Sequence, residues 1–270
     1  MRKESMKCAV WLVAGSAALL LAGVAQAAAV SGQGTWETTL LGRDINGNPV
    51  ESPSASAVFL YDKTLNVTWL RDTQYARTSG YDADGRMLWS TWNNWASGLK
   101  VGAFSGWRLP TMIDTGPHSG CDLSYSGGTD CGYNVQTKTG DPTQHAAGQT
   151  VYSETAQLWY VELGNKAYYV PGTGAGPQPD WGMSNTGSFQ SLGVDYFWSG
   201  VPYAPDPANK AWAFNSSTGY QGYVYTEGDS PARALVLRDG DVIAVPEPPT
   251  YALLMLGLTG LAVVARRRPG

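Results

Sequence analysis

The sequence has only two histidines and three cysteines in 270 residues, and these side chains carry much of the metal and nucleophile chemistry of proteins. Both histidines, His118 and His145, fall in one long stretch, residues 113–150, without the spacing of a zinc site. The sequence also lacks a nucleophile elbow, a zinc-protease motif and a Ser/His/Asp order. No two acidic residues stand out as the carboxylate pair of a glycosidase. These absences argue against an enzyme and against a resident metal.

Basic residues are scarce as well. The two ends, residues 1–27 and 245–270, hold six of the 18 lysines and arginines but only two of the 22 acidic residues. Residues 28–244 therefore carry 12 basic and 20 acidic side chains, a formal charge of −8. A nucleic-acid surface needs a basic footprint, so the composition excludes DNA and RNA as partners. An acidic surface is compatible with calcium and, more simply, with solubility.

The N-terminus has the three parts of a secretory signal. Basic residues come first, an apolar stretch covers residues 9–24, and Ala25-Gln26-Ala27 supplies a small-x-small cleavage site. The sequence thus predicts a signal peptide over residues 1–27, formed by a helix that signal peptidase removes after export.

Export changes what the cysteines mean. Cys8 leaves with the signal peptide, and Cys121 and Cys131 remain in a Gly-rich loop. An even number of cysteines in an exported chain favours a disulfide bond between these two. A metal-binding or free thiol pair is the alternative.

The remaining chain predicts an α+β domain in which helices pack on an antiparallel sheet. Apolar residues at helical spacing mark two helices, and Ser153 is placed to cap the second. Residues 28–56 are interpreted as an N-terminal strand and linker region, and residues 57–244 as the domain. The predicted helices are 88–99 and 153–163, and the predicted strands are 36–41, 57–62, 67–72, 196–199, 211–215, 219–225 and 233–238, with a turn inside 219–225.

One segment, Trp107-Arg108-Leu109-Pro110-Thr111, combines a charge with apolar neighbours. Because Arg108 stands between two apolar residues, its guanidinium is expected to meet a carboxylate or backbone carbonyls in a semi-buried site. We interpret this arginine as a structural support.

Several pieces of the sequence, in their order, resemble a known bacterial domain family. The pieces are Leu60-Tyr61-Asp62 with Thr68-Trp69-Leu70, the Trp-bearing helix, Trp107 to Thr111, Leu158-Trp159-Tyr160, Phe197-Trp198-Ser199, Ala211 to Phe214 and Ala232 to Val236. The family is the C-terminal domain of Legionella collagen-like adhesins. The resemblance implies a C-type-lectin-like fold, with two helices on a loop-rich antiparallel sheet, distantly similar to the formylglycine-generating, sulfatase-modifying domain.

The lectin-like resemblance also points to a binding loop. Calcium-dependent lectins commonly use a Gln-Pro-Asp triplet, which Gln178-Pro179-Asp180 matches by its letters, and Trp181 follows it. The resemblance therefore implies that Gln178, Asp180 and Trp181 contact a glycan, either with calcium as a cofactor or without it. The companion Trp-Asn-Asp sequence of such lectins is absent.

The C-terminus, residues 245–270, resembles the PEP-CTERM sorting signal. Pro246-Glu247-Pro248 leads into an apolar stretch, and the signal ends in Arg266, Arg267 and Arg268. As a helix, fifteen apolar residues span roughly 22 Å at ~1.5 Å per residue, short of the ~30 Å core of a bilayer. The resemblance implies processing by an exosortase, with a transient membrane helix, in a Gram-negative bacterium that exports polysaccharide.

These observations together predict an exported protein of the cell surface or extracellular matrix. The first hypothesis is non-catalytic binding of exopolysaccharide or another surface partner, with Trp181, Tyr203 and Tyr220 as exposed aromatic residues. The second is a purely structural matrix component without a discrete ligand. An enzyme related to formylglycine-generating domains ranks third, because the two cysteines sit together in what looks like a structural loop.

Overall fold

The computed structural model describes residues 28–114, 131–133, 153–170, 173–228 and 230–243. The predicted signal helix and the predicted C-terminal hydrophobic helix lie outside these ranges. Among the described residues, no helix combines the length and apolarity that a membrane crossing requires.

The described chain folds as two antiparallel sheets with few helices, which confirms the predicted mixture of helix and antiparallel sheet. The strands are β1 (Leu40–Arg43), β2 (Pro49–Val50), β3 (Phe59–Asp62), β4 (Val67–Leu70), β5 (Trp107–Arg108), β6 (Tyr196–Pro202), β7 (Lys210–Asn215), β8 (Tyr220–Tyr225) and β9 (Leu237–Asp239). The helices are α1 (Trp36–Thr39), α2 (Tyr75–Thr78), α3 (Trp89–Gly98) and α4 (Glu154–Ala156), and α4 continues as a π-helix over Gln157–Glu162.

The larger sheet has the strand order β2-β1-β3-β4-β9-β5, and every neighbouring pair is antiparallel. Its centre is the hairpin of β3 and β4, which the sequence predicts. Asn66 adopts the left-handed conformation in the turn, and Asp62 accepts hydrogen bonds from the backbone N–H groups of Thr64 and Leu65. The first strands of this sheet come from residues 28–56.

Both faces of the larger sheet are buried, because successive side chains of a strand point to opposite faces. Phe59 and Leu70 pack into a core with Trp92 of α3, whereas Leu60 and Trp69 pack into a second core with Leu158 of the π-helix. The central strands therefore consist almost wholly of buried residues, and a helix covers each face.

Trp92 is the anchor of α3, at 1 % exposure, and its indole N–H donates to the carbonyl of Ala232. The helix runs from Trp89 to Gly98, close to the predicted 88–99. The second helix also agrees with prediction at its start, where the Ser153 hydroxyl accepts from the N–H of Ala156. Replacing a buried aromatic residue such as Trp92 by alanine typically costs about 3–5 kcal/mol.

The smaller sheet has the order β6-β7-β8 and shares the first core through Trp198, Ala211 and Ala213. Its opposite face carries Trp212 and Phe214, each of which belongs to a small apolar cluster of its own.

Two predicted strands differ from the structure in part. Residues 36–39 form a helical turn, because the carbonyl of Thr35 accepts hydrogen bonds from Thr38 and Thr39. Of residues 233–238, only the last two lie in β9, which begins at Leu237.

The turn predicted within residues 219–225 lies at the start of this range, at Gly219, and β8 then runs without interruption from Tyr220 to Tyr225. Gly222 pairs with Ala213 of β7 as part of the ladder. A Cβ at Gly222 would lie 2.5 Å from the ring of Tyr220. The glycine is therefore present to make room for a neighbouring tyrosine ring and not to turn the chain.

Candidate functional site

A group of aromatic rings surrounds one lysine on the outer face of the smaller sheet. The register of the hairpin places Lys210 opposite Tyr225 and Trp212 opposite Tyr223. Because side chains alternate along a strand, Lys210, Tyr223 and Tyr225 share one face. Tyr203, just after β6, packs on the same group. We call Tyr203, Lys210, Tyr223 and Tyr225 the Lys210 cluster.

The cluster is closely packed around its charge. The Lys210 ammonium lies 4.8 Å from the ring centre of Tyr223, 5.1 Å from that of Tyr225 and 6.0 Å from that of Tyr203. These are cation–π distances. The rings of Tyr203 and Tyr223 lie 4.3 Å apart and are inclined by 31°.

Asp206 completes the electrostatics of the cluster, 3.4 Å from the ammonium of Lys210. Desolvation opposes the charge of Lys210, but the hydrogen bond to Asp206 and the nearby tyrosines outweigh it and raise its pKa. The lysine is therefore a fixed cation. Tyr225 is 58 % exposed and Tyr223 38 % exposed, whereas Tyr203 is buried.

A second set of aromatic contacts starts at Trp181 and reaches the other end of β8. Trp181 contacts Tyr168, Tyr168 contacts Tyr169, Tyr169 contacts Tyr133, and Tyr133 contacts Tyr220, with ring centres 4.8, 4.8, 4.8 and 5.2 Å apart. We call these five residues the Trp181 cluster. Trp181 is 41 % exposed, so the chain of rings ends at the surface.

The three residues of the predicted lectin-like loop have separate partners. The side-chain amide of Gln178 donates to the carbonyls of Ala167 and Tyr169 at 2.5 and 2.8 Å, which fixes the loop. Asp180 lies 3.5 Å from Lys166 and is largely exposed. Trp181 is half-exposed, and the ligand-binding role of these three residues stays a prediction. In the part of the chain that is described, no group of three histidine, cysteine or acidic side chains is arranged around a common metal position.

Arg108 occupies the semi-buried site expected for it. Its two terminal nitrogens donate to the two carboxylate oxygens of Glu154, both at 2.8 Å, and one also donates to Asp239 at 2.6 Å. Burial opposes the charge, but the bonds to these two carboxylates raise the pKa of Arg108 above its usual value. Glu154 also accepts from the N–H of Thr111 at 2.6 Å. The arginine therefore joins three segments of the fold.

The rest of this motif packs around the arginine. Trp107, Leu109 and Pro110 are buried, and Thr111 is exposed. None of these residues belongs to either aromatic cluster. The placement supports a structural interpretation of the motif.

Cys131 lies beside the Lys210 cluster, packed with Tyr203, Trp212 and Met112. It takes part in a disulfide bond. Because Cys121 lies outside the described residues, its pairing with Cys131 stays a prediction. The six residues of the sorting signal that the sequence singles out, Pro246, Glu247, Pro248, Arg266, Arg267 and Arg268, also lie outside them.

Sequence reasoning missed the Lys210 cluster in part. It named Tyr203 as an exposed aromatic residue, but Tyr203 is 5 % exposed and supports Tyr223. The sequence did contain a relevant pattern. Tyr223 and Tyr225 are two residues apart on one strand, and Lys210 and Trp212 are two residues apart on the preceding one, so each pair shares a face of its strand. The pairing of β7 with β8 decides that these side chains meet.

The chain was compared with protein-family models, with curated proteins and with solved structures, and only the first comparison gives a match. No curated protein and no solved structure matches the chain, so the C-type-lectin-like fold has no support from a related structure. Residues 244–268 match the PEP-CTERM protein-sorting motif. That motif identifies the chain as an exported protein that an exosortase processes for the cell surface.

Proposed function

We propose that this chain is a non-catalytic surface or matrix protein whose Lys210 cluster binds exported polysaccharide. The observation that carries the proposal is the pair of exposed rings, Tyr223 and Tyr225, held around a lysine on the rigid hairpin of β7 and β8. The sorting motif brings such a surface to the place where exported polysaccharide accumulates.

The chemistry of the cluster suits a sugar chain. The face of a pyranose ring presents C–H groups that pack on aromatic rings, and its hydroxyl groups need donors and acceptors. Residues two apart on an antiparallel strand are about 6.8 Å apart, so Tyr223 and Tyr225 offer two adjacent contact positions. Lys210 supplies donors and Asp206 an acceptor. Aromatic residues also bring a large contact area at little cost in conformational entropy.

The absence of catalysis is part of the same proposal. Glycoside hydrolysis uses two carboxyl groups on either side of the scissile bond. Two carboxylates lie near the Lys210 cluster within the described residues. Asp206 pairs with the ammonium of Lys210, and Asp114 accepts hydrogen bonds from the N–H of Ala204 and from the Trp212 indole. Carboxylates held in this way accept hydrogen bonds and are poor general acids.

The proposal is tested by retention of the purified exported protein on immobilised polysaccharide from its own host. We expect the double variant Tyr223→Ala/Tyr225→Ala to lose at least about tenfold in affinity, because stacking contacts are typically worth about 1–3 kcal/mol each. The matched control is Tyr81→Ala, which removes a tyrosine that is also exposed but packs on Trp95, away from β8.

Circular dichroism and the unfolding midpoint establish that the variants remain folded. Equal retention of the double variant and the wild type would contradict the role of the Lys210 cluster. No retention of the wild type on the host polysaccharide would favour the structural-matrix alternative. Asp180→Asn and Trp181→Ala, measured in parallel, test the lectin-like loop separately.

A further inference from the structure

A row of side chains crosses the smaller sheet at the turn end of the hairpin of β7 and β8. The register places Tyr196 of β6 opposite Asn215 of β7, and Asn215 opposite Tyr220 of β8. An antiparallel bridge on the other side of β8 brings Tyr133 next to Tyr220, with ring centres 5.2 Å apart. Residues directly opposite one another in antiparallel strands share a face. We call Tyr196, Asn215, Tyr220 and Tyr133 the tyrosine row.

The tyrosine row and the Lys210 cluster lie on opposite faces of this hairpin. Asn215 is five positions from Lys210 along β7, and Tyr220 is three positions from Tyr223 along β8. Because side chains alternate between faces, an odd separation places two side chains on opposite faces. The two groups also lie at opposite ends of β8, since the five residues from Tyr220 to Tyr225 span roughly 17 Å. One short ligand therefore cannot contact both groups.

The tyrosine row reaches the surface of the protein. Tyr196 is 41 % exposed, and the other three members are half-buried. The ring of Tyr220 lies over Gly222, where an added Cβ would be 2.5 Å from it. Because the glycine leaves this space open, the ring extends along β8 and offers its outer side to a ligand. Tyr133 and Tyr220 also belong to the Trp181 cluster, so the aromatic surface continues from the row to Trp181.

The tyrosine row also carries uncharged hydrogen-bonding groups. The side-chain oxygen of Asn215 accepts from the N–H and the hydroxyl of Ser217 at 2.9 and 2.6 Å, which fixes the amide and leaves its N–H groups as donors. Burial, together with the nearby Tyr133 and Tyr196, raises the pKa of Tyr220 to about 12, so its hydroxyl stays uncharged at neutral pH. A purely apolar partner would leave these donors unpaired, which is costly, whereas a sugar supplies hydroxyl groups to them.

We propose that the tyrosine row is a second polysaccharide-binding surface, and that each copy of this protein joins two polysaccharide chains. Because the other surface is the Lys210 cluster, this proposal rests on the proposed function. Rings for the C–H face of a pyranose and donors for its hydroxyl groups occur together in the row, as they do in the Lys210 cluster. Two surfaces that face in opposite directions favour two chains over one. The protein therefore cross-links the polysaccharide to which the sorting motif brings it.

The test is calorimetric titration of the purified exported protein with oligosaccharides prepared by partial hydrolysis of its host's exported polysaccharide. Oligosaccharides too short to reach both surfaces should bind with two equivalents per wild-type chain. Tyr196→Ala/Asn215→Asp should reduce this stoichiometry to one, because it removes an exposed ring and the amide donors but keeps the oxygen that accepts from Ser217. Tyr223→Ala/Tyr225→Ala should also reduce it to one.

Cross-linking of the intact polysaccharide gives a second measurement. The wild type should raise the turbidity of a soluble polysaccharide solution, most strongly at an intermediate ratio of protein to polysaccharide. Each double variant should bind the polysaccharide without raising the turbidity. Tyr81→Ala is the matched control, since it removes another exposed tyrosine and should keep both equivalents and the turbidity. Circular dichroism establishes that all variants are folded.

The outcomes separate this proposal from the proposed function. A wild-type stoichiometry of one would overturn the second surface, and loss of that single equivalent in Tyr223→Ala/Tyr225→Ala would leave the proposed function standing. A stoichiometry that stays at two in Tyr196→Ala/Asn215→Asp would also overturn the role of the tyrosine row. If the wild type binds no oligosaccharide, the proposed function itself is contradicted, and this proposal with it.

Discussion

Buried charged side chains in this protein are stabilised in three different ways. Arg71, 6 % exposed, donates to four backbone carbonyls, those of Ser188, Ser54, Ala57 and Pro53, at 2.6 to 3.2 Å. Arg108 has two carboxylates instead. Desolvation lowers the pKa of Arg71, whereas its carboxylate partners raise that of Arg108. The carbonyl groups accept the hydrogen bonds of the Arg71 guanidinium but do not neutralise its charge. Because three of these carbonyls belong to residues 53–57, Arg71 holds this loop in one conformation.

Glu162 uses the third way, which is to remain uncharged. Its folded-state pKa of about 9 stands well above the usual value of 4.5, and burial raises the pKa of Asp62 as well. A raised pKa means that the folded state holds the proton more tightly than the unfolded state does. The resulting stability is complete below about pH 4.5 and is lost progressively as the pH rises toward 9.

We therefore expect the unfolding midpoint to fall between pH 5 and pH 9, by roughly 2–4 °C for each kcal/mol lost in a domain of this size. Glu162→Gln should flatten this dependence, because its amide does not titrate. Differential scanning calorimetry over this pH range makes the measurement. A wild-type midpoint that rises across the same range would contradict the prediction.

At the scale of elements, the hairpin of β7 and β8 depends on one glycine in its turn. Gly219 has a φ of 78°, and a Cβ there would lie 2.4 Å from the Tyr160 hydroxyl and 2.8 Å from the Trp159 ring. The Tyr160 hydroxyl donates to the carbonyl of Gly219 at 2.6 Å. The close approach fixes the hairpin against α4 and the π-helix, and this in turn positions the Lys210 cluster.

Gly219→Ala should destabilise the domain by about 2–5 kcal/mol, since it adds left-handed strain of about 1–2 kcal/mol to an overpacked contact of about 1–3 kcal/mol. The control is Gly80→Ala, where φ is 77° and no atom lies within 4 Å of the added carbon. That variant should lose only the conformational part. Chemical denaturation of both variants gives the comparison, and equal losses would show that the contact with Tyr160 contributes nothing.

At the scale of the whole molecule, the last packing contacts of the described domain lie just before the sorting motif begins. Asp241 accepts two hydrogen bonds from Arg43, at 3.0 and 2.6 Å, and Val242 is fully buried. Ile243, by contrast, is 63 % exposed, and the motif begins at residue 244. The last contacts of the described domain thus precede the segment that the exosortase recognises.

Processing of the tail should therefore leave the domain intact. We expect the mature protein from its native host to have an intact mass without most of residues 249–270 and an unfolding midpoint equal to that of the unprocessed chain. Replacing Pro246, Glu247 and Pro248 by alanine should block processing and retain the full tail. A wild-type mass that includes the tail would contradict the prediction.

The sequence predicted those parts of the fold that neighbouring residues determine. Three of these parts depend on contacts within a few residues. They are the apolar face of α3 that includes Trp92, the N-terminal cap at Ser153, and the turn between β3 and β4. The sorting motif is a linear signal and is recognised without any tertiary structure. The helical turn at residues 36–39 was missed, because threonine hydrogen bonds compete there with an extended pattern.

The sites depend on contacts between residues that are distant in the sequence. Asp62 and Glu162 are a hundred positions apart, and their pairing requires both the sheet and the π-helix. Gln178 matches a calcium triplet by its letters, and only the fold shows that its side-chain N–H groups donate to the carbonyls of Ala167 and Tyr169.

The sequence by itself thus determined where the protein is sent and most of its local elements, because these depend on periodicity and on short linear motifs. The tertiary structure decided which side chains come together at the surface, as in the Lys210 cluster, and which meet in the interior, as Asp62 and Glu162 do. Strand register brought Lys210 between three tyrosines, and burial raised the pKa of Glu162. Both outcomes follow from packing across the sheets, which no local pattern contains.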